Sequence, residues 1–198
     1  MVTIRQIERL FNESRFRRLY GDLIACRAEA LAGLEAELAS ANGIAALGVI
    51  RLDELTQSHT PLSRRFLDVV LTAQQKDGGW GEPAITALCL RALMTSGGQG
   101  PAIQRGLQYL ANLQQTQGIW PREPLRRMPS DSLVSAFIML ELGDRVEFRE
   151  TVRFDDAVDW FAINAAAMDP TAKALWSHAA MRCRLTLRDS RLATLWAA

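Results

Sequence analysis

The sequence predicts an all-α protein: an α/α-toroid-like arc of about four helical hairpins, shorter than a full ring of six. Three observations lead there. A heptapeptide signature recurs at a spacing of 40 residues, one-sided apolar stretches alternate with stretches that are apolar all round, and strand-type alternation is absent. The signature is Gln74-Gln75-Lys76-Asp77-Gly78-Gly79-Trp80 in its first copy and Gln114-Gln115-Thr116-Gln117-Gly118-Ile119-Trp120 in its second. Upstream of each copy, apolar residues fall on a single face: Phe66, Val70 and Ala73, then Ile103, Leu107 and Leu110. Such helices bury one side. Downstream, Ala84 to Met94 carries only Thr86 and Arg91 as polar residues, and Leu133 to Leu142 only Ser135 and Glu141. Helices of that kind are enclosed. A half-wet helix followed by an enclosed one, repeated near every 40 residues, is the pattern of a two-layered stack of outer and inner helices.

Taken in chain order, residues 1–42 read as N-terminal capping helices, 43–185 as the hairpin repeats and 186–198 as a C-terminal tail helix. An outer stretch from Gly21 to Ser40 precedes an inner one from Gly43 to Leu55, and a degenerate hairpin runs from Asp155 to Ala167 and then from Pro170 to Leu185. Pro61, Pro83, Pro101 and Pro170 stand where helices begin, and Gly97-Gly98 and Gly143 where they end.

The 198 residues include 23 basic and 22 acidic side chains and are 48% hydrophobic, a composition for one globular domain with its own core. A formal net charge of +1 supplies no global field to gather nucleic acid, and none is expected as a partner. Only Lys76 and Lys173 are lysines, so the wealth of arginine reads as genome composition before phosphate recognition. Cys26, Cys89 and Cys183 form no CxxC pair and fall in apolar stretches, as small buried hydrophobes in a reducing compartment do. Met1 to Tyr20 carries Arg5, Arg9, Arg15, Arg17 and Arg18 without an apolar signal region, and no run is long enough to span a membrane. These features predict a cytoplasmic protein.

The stretch from Arg105-Gly106 through Tyr109-Leu110 and Gln114 to Gly118-Ile119-Trp120 resembles the QW motif of triterpene cyclases at every specified position. The first copy is similar to the Asp-Gly-Gly-Trp-Gly form of the wider prenyltransferase and squalene–hopene cyclase repeat family. The resemblance covers residues 43 to 185 and is most marked over 61 to 142. It implies that Gln74, Gly78, Trp80, Gln114, Gly118 and Trp120 are structural, each glutamine tying helix ends together and each tryptophan packing on it. It also implies a terpenoid-cyclase-like function: an apolar or prenyl-like substrate held against the inner wall, with Phe137 and Trp176 stabilising positive charge by cation–π contact. Family cyclases that begin by protonation carry a DxDD acid motif. Here the matching segment is Met128-Pro129-Ser130-Asp131, so Asp131 alone survives as a catalytic candidate and Ser130 stands where the proton donor would be. A serine hydroxyl cannot protonate an alkene.

Between Trp120 and Ser130 lie nine residues, where only two separate Trp80 from the next helix. That insertion carries Arg122, Arg126 and Arg127 among Pro121, Pro124 and Pro129, a stiffened loop whose guanidinium forks suit phosphate or carboxylate. Asp155-Asp156-Ala157-Val158-Asp159 spells DDxxD, but it opens an outer helix, where Asp155 or Asp156 serves as N-cap; magnesium there is disfavoured and no cofactor is expected. His59 and His178 are the only histidines, and no Asp-Cys-His zinc set forms with them. Two functions follow: a terpenoid cyclase, or a non-catalytic relative that binds an apolar ligand or serves as an interaction scaffold. An open arc leaves apolar ends uncovered, which calls for a homodimer or a partner chain completing the ring.

Overall fold

The computed structural model describes Leu34 and residues 39–97 and 100–183. The capping helices expected over 1–42, apart from its last residues, and the tail helix over 186–198 lie outside the described residues, as do Cys26 and the N-terminal arginines. Within them the protein is all-α, with eight α-helices and one short 3₁₀ turn: α1 (Ala41–Glu54), α2 (Pro61–Thr72), α3 (Pro83–Thr95), α4 (Gly100–Leu113), α5 (Ser132–Leu142), α6 (Val146–Thr151), α7 (Phe154–Asn164) and α8 (Pro170–Arg182). The 3₁₀ turn, Ala165–Ala167, follows α7 directly.

Helix starts follow the local chemistry. Ser40, Thr60, Asp131 and Asp169 cap α1, α2, α5 and α8 by accepting from backbone N–H groups of the first turn, and proline opens α2, α3 and α8. The inner helices form one row in which α1 packs on α3, α3 on α5 and α5 on α8. Helix α2 lies on α1 and α3, and α4 lies on α3. The layering explains the composition: no residue of 84–90 or 134–139 is more than 1% exposed, whereas α2 buries fully only Ser63 and Val70. A side chain at that level of exposure borders no water-sized space, so the middle of the inner row is a filled core.

Helix α6 has no counterpart in the sequence reading. Six residues are too few to show a helical period, yet its Phe148 is fully buried and stacks on Trp120 with ring centroids 6.0 Å apart. The next residue, Arg149, donates from Nε to the Gly143 carbonyl (2.6 Å) and from Nη2 to that of Cys183 (2.9 Å). It thereby satisfies two carbonyls at the ends of α5 and α8, and its guanidinium lies 4.8 Å from the Phe154 ring centre.

The same end of the inner row carries an ion network. Asp144 receives Arg182 at 2.7 Å, Arg91 at 3.2 Å and Arg145 at 3.6 Å. Burial pushes the Asp144 carboxyl up, but the Arg182 hydrogen bond and the charges of Arg182, Arg91 and Arg145 outweigh it and hold the group below the ordinary aspartate value. Of the three, Arg182 lies in the last turn of α8, where the backbone dipole also favours it. Because the folded value lies below the unfolded one, the unfolded chain binds more protons, and Asp144 stabilises the fold above the unfolded value of about 3.9. That contribution disappears as pH falls through the folded value. Asp144→Asn is expected to cost about 1–2 kcal/mol at pH 7, and the gap to the native chain to shrink below about pH 4. Urea unfolding at pH 7 and pH 3 measures both; a gap that is the same at the two values would contradict this account.

Candidate functional site

The two signature copies build two copies of one joint. In each, the chain leaves an outer helix, turns, and enters the next inner helix. The turn is closed by paired backbone bonds: Gln75 N–H to the Gly79 carbonyl and Gly78 N–H to that of Gln75 (2.9 and 3.0 Å), then Gln115 to Ile119 and Gly118 to Gln115 (both 2.9 Å). The glycine takes a positive φ each time, +95° at Gly78 and +88° at Gly118.

The tryptophan closes the joint inward. Trp80 Nε1 donates to the Val70 carbonyl (2.6 Å) and Trp120 Nε1 to that of Leu110 (2.8 Å), each back onto its own outer helix. The backbone N–H groups of the same tryptophans donate to Thr86 Oγ1 (3.0 Å) and Ser135 Oγ (2.9 Å) on the following inner helices. These two hydroxyls are among the few polar exceptions in otherwise apolar stretches. Their shared place in the first turn of an inner helix was a visible signal, but the sequence reading assigned them no role.

The glutamine closes the joint sideways, onto the next outer helix. Gln74 Nε2 donates to the Gly78 carbonyl (2.8 Å) and to that of Ala102 in α4 (2.9 Å), while its Oε1 accepts from Arg105 (2.5 Å). Gln114 Nε2 donates to the Gly118 carbonyl (2.6 Å) and to that of Arg153 (3.0 Å), and its Oε1 accepts the Arg153 N–H (2.8 Å). Arg153 is the N-cap of α7 and makes no side-chain cap bond. This corrects the expectation that Asp155 or Asp156 caps that helix. Both sit within the first turn, two and three residues past the cap, and the Arg153 N–H is met from outside by Gln114, which is 1% exposed. Gln114→Ala leaves the Arg153 N–H and the Gly118 carbonyl without that partner and is expected to cost about 2 kcal/mol. Gln114→Glu keeps the acceptor but loses both donations, so urea unfolding should find it destabilised too; a neutral effect of both changes would remove the joint's central element.

The residues proposed from chemistry are spread over different environments. Asp131 is the N-cap of α5: Oδ1 accepts the Val134 N–H (2.9 Å) and Oδ2 lies 3.9 Å from Arg122 Nη1. One oxygen thus accepts a hydrogen bond and the other lies at ion-pair distance from a guanidinium. Phe137 lies buried in α5, and Trp176 of α8 is fully buried and stacked on Phe161 of α7, with ring centroids 4.4 Å apart and planes 10° apart. That contact puts the Trp176 ring between α8 and α7, and its indole N–H has no acceptor among the described residues. Asp155 and Asp156 are exposed and Asp159 half-buried on α7, with Asp156 3.5 Å from Arg153. Among the described residues no three His, Cys, Asp or Glu side chains converge as a metal site would require. Cys89 and Cys183 are buried free thiols, each pushed above its ordinary value by burial, and burial lowers His178.

The insertion is a shaped element. Its ends meet through a bridge between Pro121 and Ser130 and through the Asp131 N–H, which donates to the Trp120 carbonyl (2.9 Å). Gln115, the second glutamine of the signature, pins its far side by donating to the carbonyls of Arg126 (3.3 Å) and Met128. Residues 122–129 are exposed, including Arg126 and Arg127, so the loop separates Arg122, engaged with Asp131, from the two outward arginines.

An all-α stack of outer and inner helices, joined by paired glutamine and tryptophan clasps, is the class of protein that fold and joints define. Comparison with curated proteins gives a partial match to the squalene–hopene cyclase of Bradyrhizobium diazoefficiens, 34% identical over an alignment of 82 residues covering 32% of this chain and 12% of that protein. The probable squalene–hopene cyclase of Sinorhizobium fredii is 33% identical over 82 residues, covering 32% of this chain and 13% of its own. The chain spans about one eighth of the length of these relatives. No family model matches the chain, and no solved structure matches it at a significant level. The relationship is thus cyclase-like at the level of a partial sequence match. No helix among the described residues is long and apolar enough to cross a membrane.

Proposed function

We propose that this chain is a non-catalytic relative of the terpenoid cyclases, in which the arc of hairpins serves as an interaction scaffold. The observation that carries this is the filled inner row. A cyclase must fold its substrate inside a dry chamber, whereas the central residues of α3 and α5 are packed against protein on every side. Two further features support it. Ser130 stands at the position of the proton donor, and the oxygens of Asp131 cap α5 and face Arg122. The partner in this reading is a second copy or another chain that completes the ring, and sedimentation at micromolar concentration should give a species heavier than the monomer.

The partial likeness to squalene–hopene cyclases favours a second reading, in which a prenyl-like or other apolar substrate enters the arc and is cyclised with Asp131 taking part and Phe137 and Trp176 steadying positive charge. Incubation with squalene and with polyprenyl diphosphates, followed by product analysis and thermal shift, separates the two. The scaffold reading expects no cyclised product and the same result for Asp131→Asn. Product formed by the native chain and lost in Asp131→Asn would overturn it.

A further inference from the structure

The second joint carries a feature that the first lacks: an open groove of about 490 Å³ between the signature turn and the insertion. Gln115, Thr116 and Gln117 form one side, and Arg126, Arg127 and Ser130 stand on the other. Its lining holds two cations and no carboxylate. Of the nearby charged groups, Glu123 is exposed in the same loop but outside the lining, Asp131 faces Arg122, and Arg153 lies under the turn and donates to the Thr116 carbonyl (3.2 Å). Arg126 and Arg127 are exposed and engage no acid or acceptor among the described residues, whereas Arg91, Arg149, Arg153 and Arg182 are bound into the fold.

We propose that this groove binds a diphosphate group. Each guanidinium presents a planar fork that pairs with two oxygens of one phosphate. Two consecutive arginines supply two forks, which a ligand with two linked anionic centres satisfies and a single carboxylate does not. The Gln117 amide N–H group adds a neutral donor at the rim, while its Oε1 accepts from the Ser130 hydroxyl (3.4 Å). The groove is preformed because Gln115 holds the loop by its backbone carbonyls and three prolines stiffen it, so little ordering is needed on binding. Leu125 and Met128, 57% and 37% exposed, flank the arginines and give an apolar surface on which the chain of a prenyl diphosphate can lie. The site is independent of whether the inner helices hold a ligand.

Calorimetry on the full chain with inorganic diphosphate tests the site. Saturable binding is expected, weakened at least about tenfold in Arg126→Gln/Arg127→Gln, since charge-assisted forks are lost. The same charge change on α2, Arg64→Gln/Arg65→Gln, should alter affinity less than about twofold. Gln115→Ala keeps both arginines but frees the loop, and should weaken binding about threefold without removing it. No saturable binding, or equal losses in the two double variants with both still folded by circular dichroism, overturns the proposal. Farnesyl diphosphate distinguishes the source: tighter binding than inorganic diphosphate, lost in Leu125→Ser, assigns the group to a prenyl chain, and equal affinity assigns it to the free anion.

Discussion

Trp120→Ala is expected to remove about 4 kcal/mol of stability, a large part of the 5–15 kcal/mol available to a domain. The ring is fully buried, covered by Phe148, and tied to the Leu110 carbonyl, so the change opens a cavity between α4, α5 and α6 and deletes a buried donor together. Trp120→Phe retains much of the volume. The Leu110 carbonyl still accepts the Gln114 N–H (3.0 Å), so the milder change should cost about 1–2 kcal/mol. Equilibrium urea unfolding of the pair measures the difference, and an alanine variant within 1 kcal/mol of the native chain would show that the joint is not a structural centre.

Gly118→Ala should be nearly as severe, at about 3 kcal/mol or more, because two costs add. Backbone at φ +88° disfavours any L side chain, and a Cβ there would lie 2.5 Å from the Ala157 nitrogen and the Asp156 carbonyl carbon, main-chain atoms of α7 that cannot step aside. Gly97 isolates the first cost. It has φ +71° with nothing within 4 Å of its would-be Cβ, so Gly97→Ala should lose only about 1 kcal/mol. If thermal unfolding gave the two variants equal losses, the close approach of the turn to the next helix would carry no weight.

The layering was legible because burial imposes periodicity: helices enclosed in the inner row must be apolar all round, and outer ones must not. The joints were legible because both copies need the same rare combination of an amide, a positive-φ glycine and an indole. The partners of those groups were not, since Gln114 and Trp120 bind main-chain atoms of Arg153 and Leu110, and a carbonyl has no residue type to read. For the same reason the cap of α7 was misplaced on its own acidic residues. Phe148 shares a six-residue helix with only one other apolar residue, the exposed Val146, too few to show a buried face, and spacing on a helix does not say that the Trp176 ring faces Phe161. Asp131 is read from the sequence as a catalytic candidate, and its place as the cap of α5 and its approach to Arg122 depend on how the insertion folds back.

Apart from the Arg105 guanidinium that meets Gln74, the glutamine of one hairpin grips the peptide groups of the next and asks of it mainly room for the turn. A unit held this way is free to differ in sequence, as the last hairpin does in lacking the signature, while its seat is preserved. The architecture therefore behaves like a rail with matching couplings, at one of which an addition such as the basic insertion can be carried without disturbing its twin.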